Sequence, residues 1–423
     1  MLEKILTEKF RRTLKMIFTD ITNQQDRRDE QEFSKDEVRI KESLLDTIQP
    51  FPSDIILDED FRVAAVDGSG TDSLMTLDDI RVHLLSTSTV VLNTNTHSEN
   101  AFTPLDRETL EAEVGEQPQI HPHWHSGVRN DARTKLAESL EDIYPLKDIV
   151  SLTLPFFHDY TRIGRTEFEE DIPRLRDMES LISREQTLTN SAVHDELRKT
   201  SEYAAIHRLL TSDLQLKYVF IDGAMSIFMH PSLHYPSMPS GFMLRNLCSL
   251  ARQKEVILCA VSKNHTIPFA HRIARLAIEQ FGLDAKWFCH LPSNYDPGGS
   301  LQILKDRTAY LPPMLAVPYL YSFSRDNRPS RIDFDRVWWL QNIFVPNNPK
   351  ATRINEKALF TEIEFISRDA RWYGYPVPLA LAHTSCKLSY EDLQLAREVC
   401  GDVLRELNRE GVKTDPLRAD YDL

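Results

Sequence analysis

The sequence has few cysteines, no long apolar run and no excess of basic residues. Its cysteines contain no CxxC pair and are odd in number, which predicts reduced thiols rather than a disulfide framework. No apolar run approaches the roughly 20 residues of a membrane span. The opening stretch MLEKILTEKFRR is too rich in charge for a signal peptide. We therefore expect a soluble, cytoplasmic protein with no membrane partner. The five cysteines are Cys248, Cys259, Cys289, Cys386 and Cys400.

The balance of charge is acidic. The chain has 64 acidic and 50 basic residues, a formal net charge of −14, which excludes a general electrostatic attraction to a polyanion. Binding to a nucleic acid would need a local basic lining or a partner that delivers the strand. With 423 residues, 41% of them hydrophobic, the chain suffices for one large domain with insertions or for two ordinary domains.

Two apolar stretches end in Asp-Gly. Residues 62–66 (RVAAV) run into Asp67-Gly68-Ser69, and residues 217–222 (KYVFID) run into Gly223. Short apolar runs without helical spacing, closed by a glycine-containing turn, predict buried strands. A carboxylate at the exit of a strand is held rigidly, as a metal ligand must be. Asp-Gly is also a common hairpin dipeptide, so it is the pair, Asp67 and Asp222, that suggests a site.

A helix is predicted over residues 190–210, and it carries two interior acids. Glu202 is followed by apolar residues at i+3, i+4 and i+7, which predicts that it faces the sheet. Glu196 is followed by Lys199 at i+3, the setting of a solvated acid. An inward carboxylate is costly unless its charge is compensated, for example by a cation. The alternative is that Glu202 lies at the rim of the apolar stripe and reaches water.

Two further polar residues follow apolar segments. The predicted strand 256–261 ends in Ser262-Lys263, so Lys263 emerges at a strand terminus like the two aspartates. A solvated lysine in a helix-entry loop is the alternative. His383 follows the small apolar run PLALA, and a core or capping histidine is the default explanation for it.

Two aromatic or histidine-rich motifs have ordinary explanations as well as functional ones. HPHWH places His121, His123 and His125 in alternation, which could ligate zinc or another transition metal, although a polar loop more often explains such a string. Trp338-Trp339 could stack on bases, although paired tryptophans usually belong to a core.

The remaining pattern predicts the domain organisation. Residues 1–45 form a polar N-terminal helical segment, and residues 46–423 form an α/β domain with a long, mostly helical insertion at about 93–190. Residues 79–92 alternate well enough for two more strands, which implies an antiparallel meander at the start of the sheet. Later strands are predicted over 315–323, 331–339 and 362–366, and a final amphipathic helix over 390–407.

Taken together, the motifs resemble the NurA nucleases. The resemblance rests on AVDGS at 65–69, an inward glutamate before a second strand ending in Asp-Gly, a strand ending in Ser-Lys, and a late YP…L…AH segment. It spans roughly residues 55–395. It implies an RNase H-like fold, a mixed β-sheet flanked by helices with acids gathered at its centre. This chain departs from a compact NurA pattern in its long region 93–190 and in its acidic balance.

The resemblance also implies an activity and partners. Members of the family look like Mn²⁺- or Mg²⁺-dependent DNA nucleases that act as homodimers docked on HerA, a hexameric DNA-translocating ATPase. By this analogy Asp67, Glu202, Asp222 and His383 are the metal ligands, and Lys263 lies near the scissile phosphate. The implied role is DNA end processing or anti-phage defence.

Two other functions are compatible with parts of the sequence. DGSGTDS resembles the phosphate-gripping strand and turn of actin-like or sugar-kinase-like ATPases, but a convincing adenosine-binding glycine motif is missing downstream. A catalytically silent adaptor of a ring ATPase is the other alternative. It ranks lower because all the proposed site residues carry chemically competent side chains.

Overall fold

The structure, a computed structural model, divides the chain into two units, residues 1–48 and residues 49–423. It describes residues 11–12, 15–16, 19, 47–50, 57, 59–77, 80–98, 100–126, 132–144, 177–182, 188–225, 238–265, 267, 270–291, 315–323, 329–372 and 374–406. In the first unit, residues 11–12, 15–16 and 19 are helical. The rest of the predicted N-terminal helical segment lies outside the described residues.

The described strands form one sheet of ten. Their order is β1-β8-β9-β10-β7-β6-β2-β3-β4, and β5 pairs with β3 beside β4. The strands are β1 (Ile48–Pro50), β2 (Arg62–Leu77), β3 (Ile80–Thr94), β4 (Phe102–Pro104), β5 (Gln119–Ser126), β6 (Tyr218–Asp222), β7 (Ile257–Ser262), β8 (Trp287–His290), β9 (Ala316–Ser322) and β10 (Ser330–Asp335).

Ten described helices flank this sheet. They are α1 (Arg107–Val114), α2 (Ala132–Ile143), α3 (Met178–Leu181), α4 (Asn190–Thr211), α5 (Pro239–Gln253), α6 (Ala270–Phe281), α7 (Arg336–Asn342), α8 (Pro349–Ile366), α9 (Val377–Cys386) and α10 (Tyr390–Glu406). None of them combines the length and apolarity that a membrane crossing requires.

The sheet is mixed, as predicted. β2 pairs with β3 in antiparallel fashion, whereas β2, β6 and β7 run parallel to one another. An antiparallel meander therefore adjoins a parallel group at β2, which makes β2 the strand where the two halves of the sheet meet. The predicted mixed β-sheet flanked by helices is confirmed.

The two faces of the sheet bury separate apolar cores. Ala64 and Val66 pack with α1 to α5 on one face, and Val63 and Ala65 pack with α7, α8 and α9 on the other. Side chains alternate between the faces of a strand, so Asp67, which follows Val66, belongs to the face covered by α9.

β2 is longer than the sequence suggested. A turn was expected at residues 68–71, but β2 continues to Leu77 and pairs with β3 through Gly68 and Gly70. The reason is packing rather than turn formation. A Cβ on Gly68 would lie 2.6 Å from Oε1 of Glu202, and one on Gly70 would lie 2.5 Å from the Leu84 carbonyl oxygen. These glycines let other groups approach the strand closely.

Several other predictions of secondary structure need correction. Of the predicted pair of strands over 79–92, residues 80–92 form part of the single strand β3, and residue 79 lies outside the described residues. Of the predicted strand 331–339, β10 ends at Asp335 and α7 then begins, with the Asp335 carboxylate accepting a hydrogen bond from the Val337 N–H. Residues 362–366 are the last turn of α8. In this turn Glu364 is buried together with its apolar neighbours, so the alternation of polar and apolar residues did not reflect a strand with one buried face.

The two candidate motifs with ordinary explanations lie in regular secondary structure, and each contributes one buried side chain, His125 and Trp339. HPHWH is not a loop but lies in β5, which pairs with β3. Trp339 is buried, and its Nε1 donates a 2.8 Å hydrogen bond to the Tyr319 hydroxyl, so it is not available to stack on a base. The five cysteines form no disulfide.

Candidate metal centre

The two aspartates lie side by side at the centre of the sheet. β2 and β6 are parallel neighbours in which Val66 pairs with Ile221, and Asp67 and Asp222 are the next residue of each strand. In a parallel pair such residues point to the same face. Asp67 is 1% exposed, and its Oδ1 accepts a 2.8 Å hydrogen bond from the Gly68 N–H.

Glu202 approaches this pair from α4. Its side chain is 2% exposed and packs directly against the bare backbone of Gly68. The rim position in which Glu202 would reach water is therefore not adopted. Instead its Oε1 accepts a 2.6 Å charged hydrogen bond from Nη1 of Arg198, one helical turn earlier.

His383 closes the site from α9. Its Nδ1 lies 2.7 Å from Oδ2 of Asp67, although the His383 side chain is 67% exposed. His383 is therefore neither a core nor a helix-capping histidine, because its side chain is exposed to solvent and its ring nitrogen contacts the buried carboxylate of Asp67. On the same side of α9, Sγ of Cys386 lies 3.8 Å from the same carboxylate oxygen.

Lys263 is connected to Asp222 through an aromatic ring. It follows the last residue of β7, and its Nζ lies 3.9 Å from the centroid of the Tyr375 ring. The Tyr375 hydroxyl donates a 2.9 Å hydrogen bond to Oδ1 of Asp222. Burial lowers the pKa of Lys263, and the nearby charge of Asp222 opposes that shift. Lys263, which is exposed, thus places a cation at the edge of the acid cluster.

Burial and mutual repulsion dominate the electrostatics of the cluster. Burial raises the pKa of Asp67, the charge of Asp222 raises it further, and His383 works in the opposite direction. The pKa of Glu202 is raised to about 8, chiefly by burial. The charge of Arg198 lowers this pKa, and the charges of Asp67 and Asp222 raise it. Adjacent carboxylates resist simultaneous ionisation, so this cluster holds negative charge poorly without a cation.

The donor set fits a hard divalent cation. Asp67, Glu202 and Asp222 supply carboxylate oxygens, the ligands that Mg²⁺ and Mn²⁺ prefer, and His383 adds a ring nitrogen. A cation bound among them would offset both the repulsion and the burial that raise the pKa values of Asp67 and Glu202.

Glu196 occupies a different environment from the one expected. It is 3% exposed rather than solvated, and its carboxylate accepts 2.7 Å hydrogen bonds from both the N–H and the hydroxyl of Ser240. Six residues correspond to about 600° of helical rotation, so Glu196 and Glu202 diverge by about 240°. Glu202 faces the sheet, and Glu196 is directed at the first turn of α5.

The histidines of β5 do not assemble a comparable centre. His83 and His125 are buried with ring nitrogens 3.3 Å apart, and burial lowers the pKa of His123 to about 4. Within the described ranges, one group of three metal-ligating side chains has its ligand atoms within 4.8 Å of one another, and it comprises Asp67, His383 and Cys386.

Sequence reasoning missed three residues of the site. Arg198 stands four residues before Glu202, a spacing that predicts a helical ion pair and could have identified it. Tyr375 is the tyrosine of the YP…L…AH segment, whose pattern does not indicate a contact with Asp222. Cys386 stands three residues after His383, so a helix over 377–386 would have placed both on one face.

Comparisons with known proteins give a likeness in structure but none in sequence. No family model matches the chain, and no curated protein matches it. Among solved structures, the chain is similar to the NurA nuclease from Sulfolobus solfataricus, with 12% identity and a TM-score of 0.42 over 94% of this chain and 97% of that one.

Two other solved structures give the same picture. A NurA with manganese matches at 12% identity and a TM-score of 0.35, over 94% of this chain and 98% of that one. A NurA bound to dAMP and manganese matches at 12% identity and a TM-score of 0.32, over 91% and 94%. Since these TM-scores lie below 0.5, the functional assignment of this chain rests on its site residues.

Proposed function

We propose that the chain is a metal-dependent deoxyribonuclease that hydrolyses phosphodiester bonds with Mn²⁺ or Mg²⁺. The observation that carries the proposal is that Asp67 and Asp222 occupy equivalent positions on adjacent parallel strands, with His383 in contact with Asp67 and the buried Glu202 electrostatically coupled to both aspartates. DNA as the substrate rests on the order of sequence motifs shared with NurA.

The carboxylates and His383 act as the metal-binding groups in this proposal. Asp67 is held by the Gly68 N–H and Asp222 by the Tyr375 hydroxyl, so both are oriented before a cation arrives. When bound, one or two Mn²⁺ or Mg²⁺ ions supply an activated water and stabilise the attacking and leaving oxygens.

Two basic residues suit the phosphate. Lys263 is positioned against Tyr375, beside Asp222, and is the closest match to a cation that contacts the scissile phosphate. Arg198 is electrostatically coupled to Asp67 and Asp222 as well as to Glu202. A local pair of cations of this kind supplies the basic lining that an acidic chain lacks overall.

We propose further that the enzyme works as a homodimer with a HerA-type hexameric ATPase, in DNA end processing or anti-phage defence. The support is the sequence resemblance together with the net charge of −14. A chain that repels DNA at long range benefits from a translocase that delivers the strand to the site.

The structure removes the basis of the ATPase alternative. That hypothesis required DGSGTDS to form a turn around a phosphate, but residues 67–71 lie inside β2 and pair with residues 84–88 of β3. No turn is present there to cradle a nucleotide.

The proposal is tested by DNA cleavage with wild-type protein and the Asp67→Asn variant. Wild type is expected to cleave DNA with Mn²⁺ and to stop when the metal is chelated. Asp67→Asn keeps the shape of the ligand but weakens its hold on the cation, and it is expected to lose at least about 10²-fold in rate. A folded wild-type protein that binds Mn²⁺ yet cleaves no DNA, alone or with a translocase, would favour the silent adaptor.

A further inference from the structure

A thiol belongs to the metal-ligating cluster. Cys386 follows His383 by three residues on α9, which places both side chains on one face of the helix. Its Sγ lies 3.8 Å from Oδ2 of Asp67 and 3.4 Å from the His383 carbonyl oxygen. The side chain is 1% exposed, so the sulfur is directed into the site rather than toward solvent.

This sulfur changes which metals the site prefers. Mg²⁺ and Mn²⁺ favour oxygen ligands and gain little from a thiol, whereas Zn²⁺ binds cysteine sulfur, histidine nitrogen and carboxylate oxygen together. Asp67, His383 and Cys386 present one ligand atom of each kind, all within 4.8 Å of one another. Three protein ligands and one open position are the composition of a catalytic-type zinc site.

Two of the three distances between ligand atoms require only a small adjustment. Zinc bonds of about 2.0–2.3 Å in tetrahedral geometry place neighbouring ligand atoms about 3.4–3.6 Å apart. The sulfur–oxygen distance of 3.8 Å is already close to this value. The 2.7 Å nitrogen–oxygen distance must lengthen, and His383 has room to move because its side chain is 67% exposed.

We propose that Asp67, His383 and Cys386 form a zinc site that overlaps the Mn²⁺/Mg²⁺ centre and holds the enzyme inactive when zinc is bound. The inhibitory consequence rests on the proposed nuclease function, whereas the zinc site itself does not. Coordination replaces the Cys386 S–H bond by a sulfur–zinc bond and releases the proton to solvent. Zinc then occupies Asp67 and His383, two groups that the activating metal needs.

The site is tested by metal binding to the full-length, metal-free protein. Co²⁺ is the probe, because a cobalt–thiolate bond gives a charge-transfer absorption that oxygen and nitrogen ligands do not. Wild type is expected to show this absorption and to lose it when zinc displaces cobalt. In Cys386→Ser the absorption is expected to vanish and the zinc affinity to fall at least about 100-fold, since even outer-shell partners are worth about 10–100-fold.

Controls separate this site from other thiols and from misfolding. Cys400→Ser removes the one cysteine of the five that is not buried and is expected to keep the wild-type spectrum and zinc affinity. Cys386→Ala and circular dichroism show whether the loss of binding reflects a missing ligand rather than an unfolded chain. A wild-type cobalt complex without thiolate absorption, or unchanged zinc affinity in a folded Cys386→Ser, would overturn the proposal.

The same protein distinguishes this inference from the nuclease function. Zinc is expected to suppress Mn²⁺-dependent cleavage in wild type, and Cys386→Ser is expected to need far more zinc for the same suppression. If the cobalt–thiolate absorption is present but no DNA is cleaved with Mn²⁺, the zinc site stands and the nuclease proposal fails. If Mn²⁺ supports cleavage and no thiolate absorption is seen, the zinc site fails and the nuclease proposal stands.

Discussion

Glu202→Gln is expected to stabilise the metal-free protein, increasingly so as the pH rises. Glu202 is 2% exposed, and burial raises its pKa to about 8, even though Arg198 partly offsets that rise. The folded chain therefore keeps a proton on Glu202 that the unfolded chain, with its ordinary pKa of 4.5, has released. Glutamine keeps the shape of the side chain but does not titrate, so the variant avoids the free-energy cost of binding this proton or burying the charge.

The magnitude follows from linkage. Between about pH 4.5 and pH 8 the folded state binds one more proton at Glu202 than the unfolded state, so rising pH favours unfolding. One pKa unit corresponds to about 1.4 kcal/mol, and the wild-type protein should lose up to about that much stability per pH unit through this group. The total is on the order of a few kcal/mol, and a weaker hydrogen bond from Arg198 to the glutamine oxygen subtracts on the order of 1 kcal/mol from the gain in the variant.

The assay is urea unfolding of both proteins in a chelating buffer from pH 5 to pH 8.5. The free energy of unfolding of Glu202→Gln minus that of wild type should grow with pH. Added Mn²⁺ should then stabilise wild type more than the variant, because a ligand stabilises the state that binds it. A difference that stays flat across this range, or a variant less stable than wild type at pH 8, would refute the reasoning.

Three further outcomes are expected. Glu202→Gln should lower the DNA cleavage rate by at least about 10²-fold. Glu196→Gln should change the rate little, because Glu196 lies against Ser240. The reverse pattern in single-turnover assays would give Glu196 the metal role. Gly68→Ala should weaken Mn²⁺ binding in calorimetry, because its Cβ would meet Oε1 of Glu202 at 2.6 Å, and an unchanged affinity would show that Glu202 does not set the site. Cleavage by the isolated protein should be weak and steeply salt-sensitive and should rise when a HerA-type translocase is added; equal rates with and without the translocase at physiological salt would remove the support for that partnership.

The positions of Asp67 and Asp222 on the sheet could be predicted from the sequence because local patterns encode them. The apolar runs before Asp67 and Asp222 specify buried strands, and a shared sheet edge brings their ends together. The structure places these runs in the parallel neighbours β2 and β6. The helical pattern also turns Glu202 toward the sheet, and the strand pattern places Lys263 at the end of β7, whereas the place of His383 beside Asp67 was implied only by the family resemblance. The metal-binding and catalytic roles of all five residues remain predictions.

The rest depends on contacts between elements that no local pattern shows. Gly68 looks like a turn residue in the sequence but serves as a gap into which Glu202 packs. Glu196 looks like a surface acid beside Lys199, yet α5 covers it and Ser240 satisfies its oxygens. Cys386 looked like one of several reduced thiols until α9 placed it against Asp67.

The most direct test of the central claim is an anomalous diffraction map from crystals soaked in Mn²⁺. A manganese peak bonded to oxygens of Asp67, Glu202 and Asp222 is expected, with His383 turned toward it and Arg198 drawn away from Glu202. A well-ordered map with manganese elsewhere, for example at the histidines of β5, or with the Arg198–Glu202 ion pair intact and no ion between the carboxylates, would contradict the account.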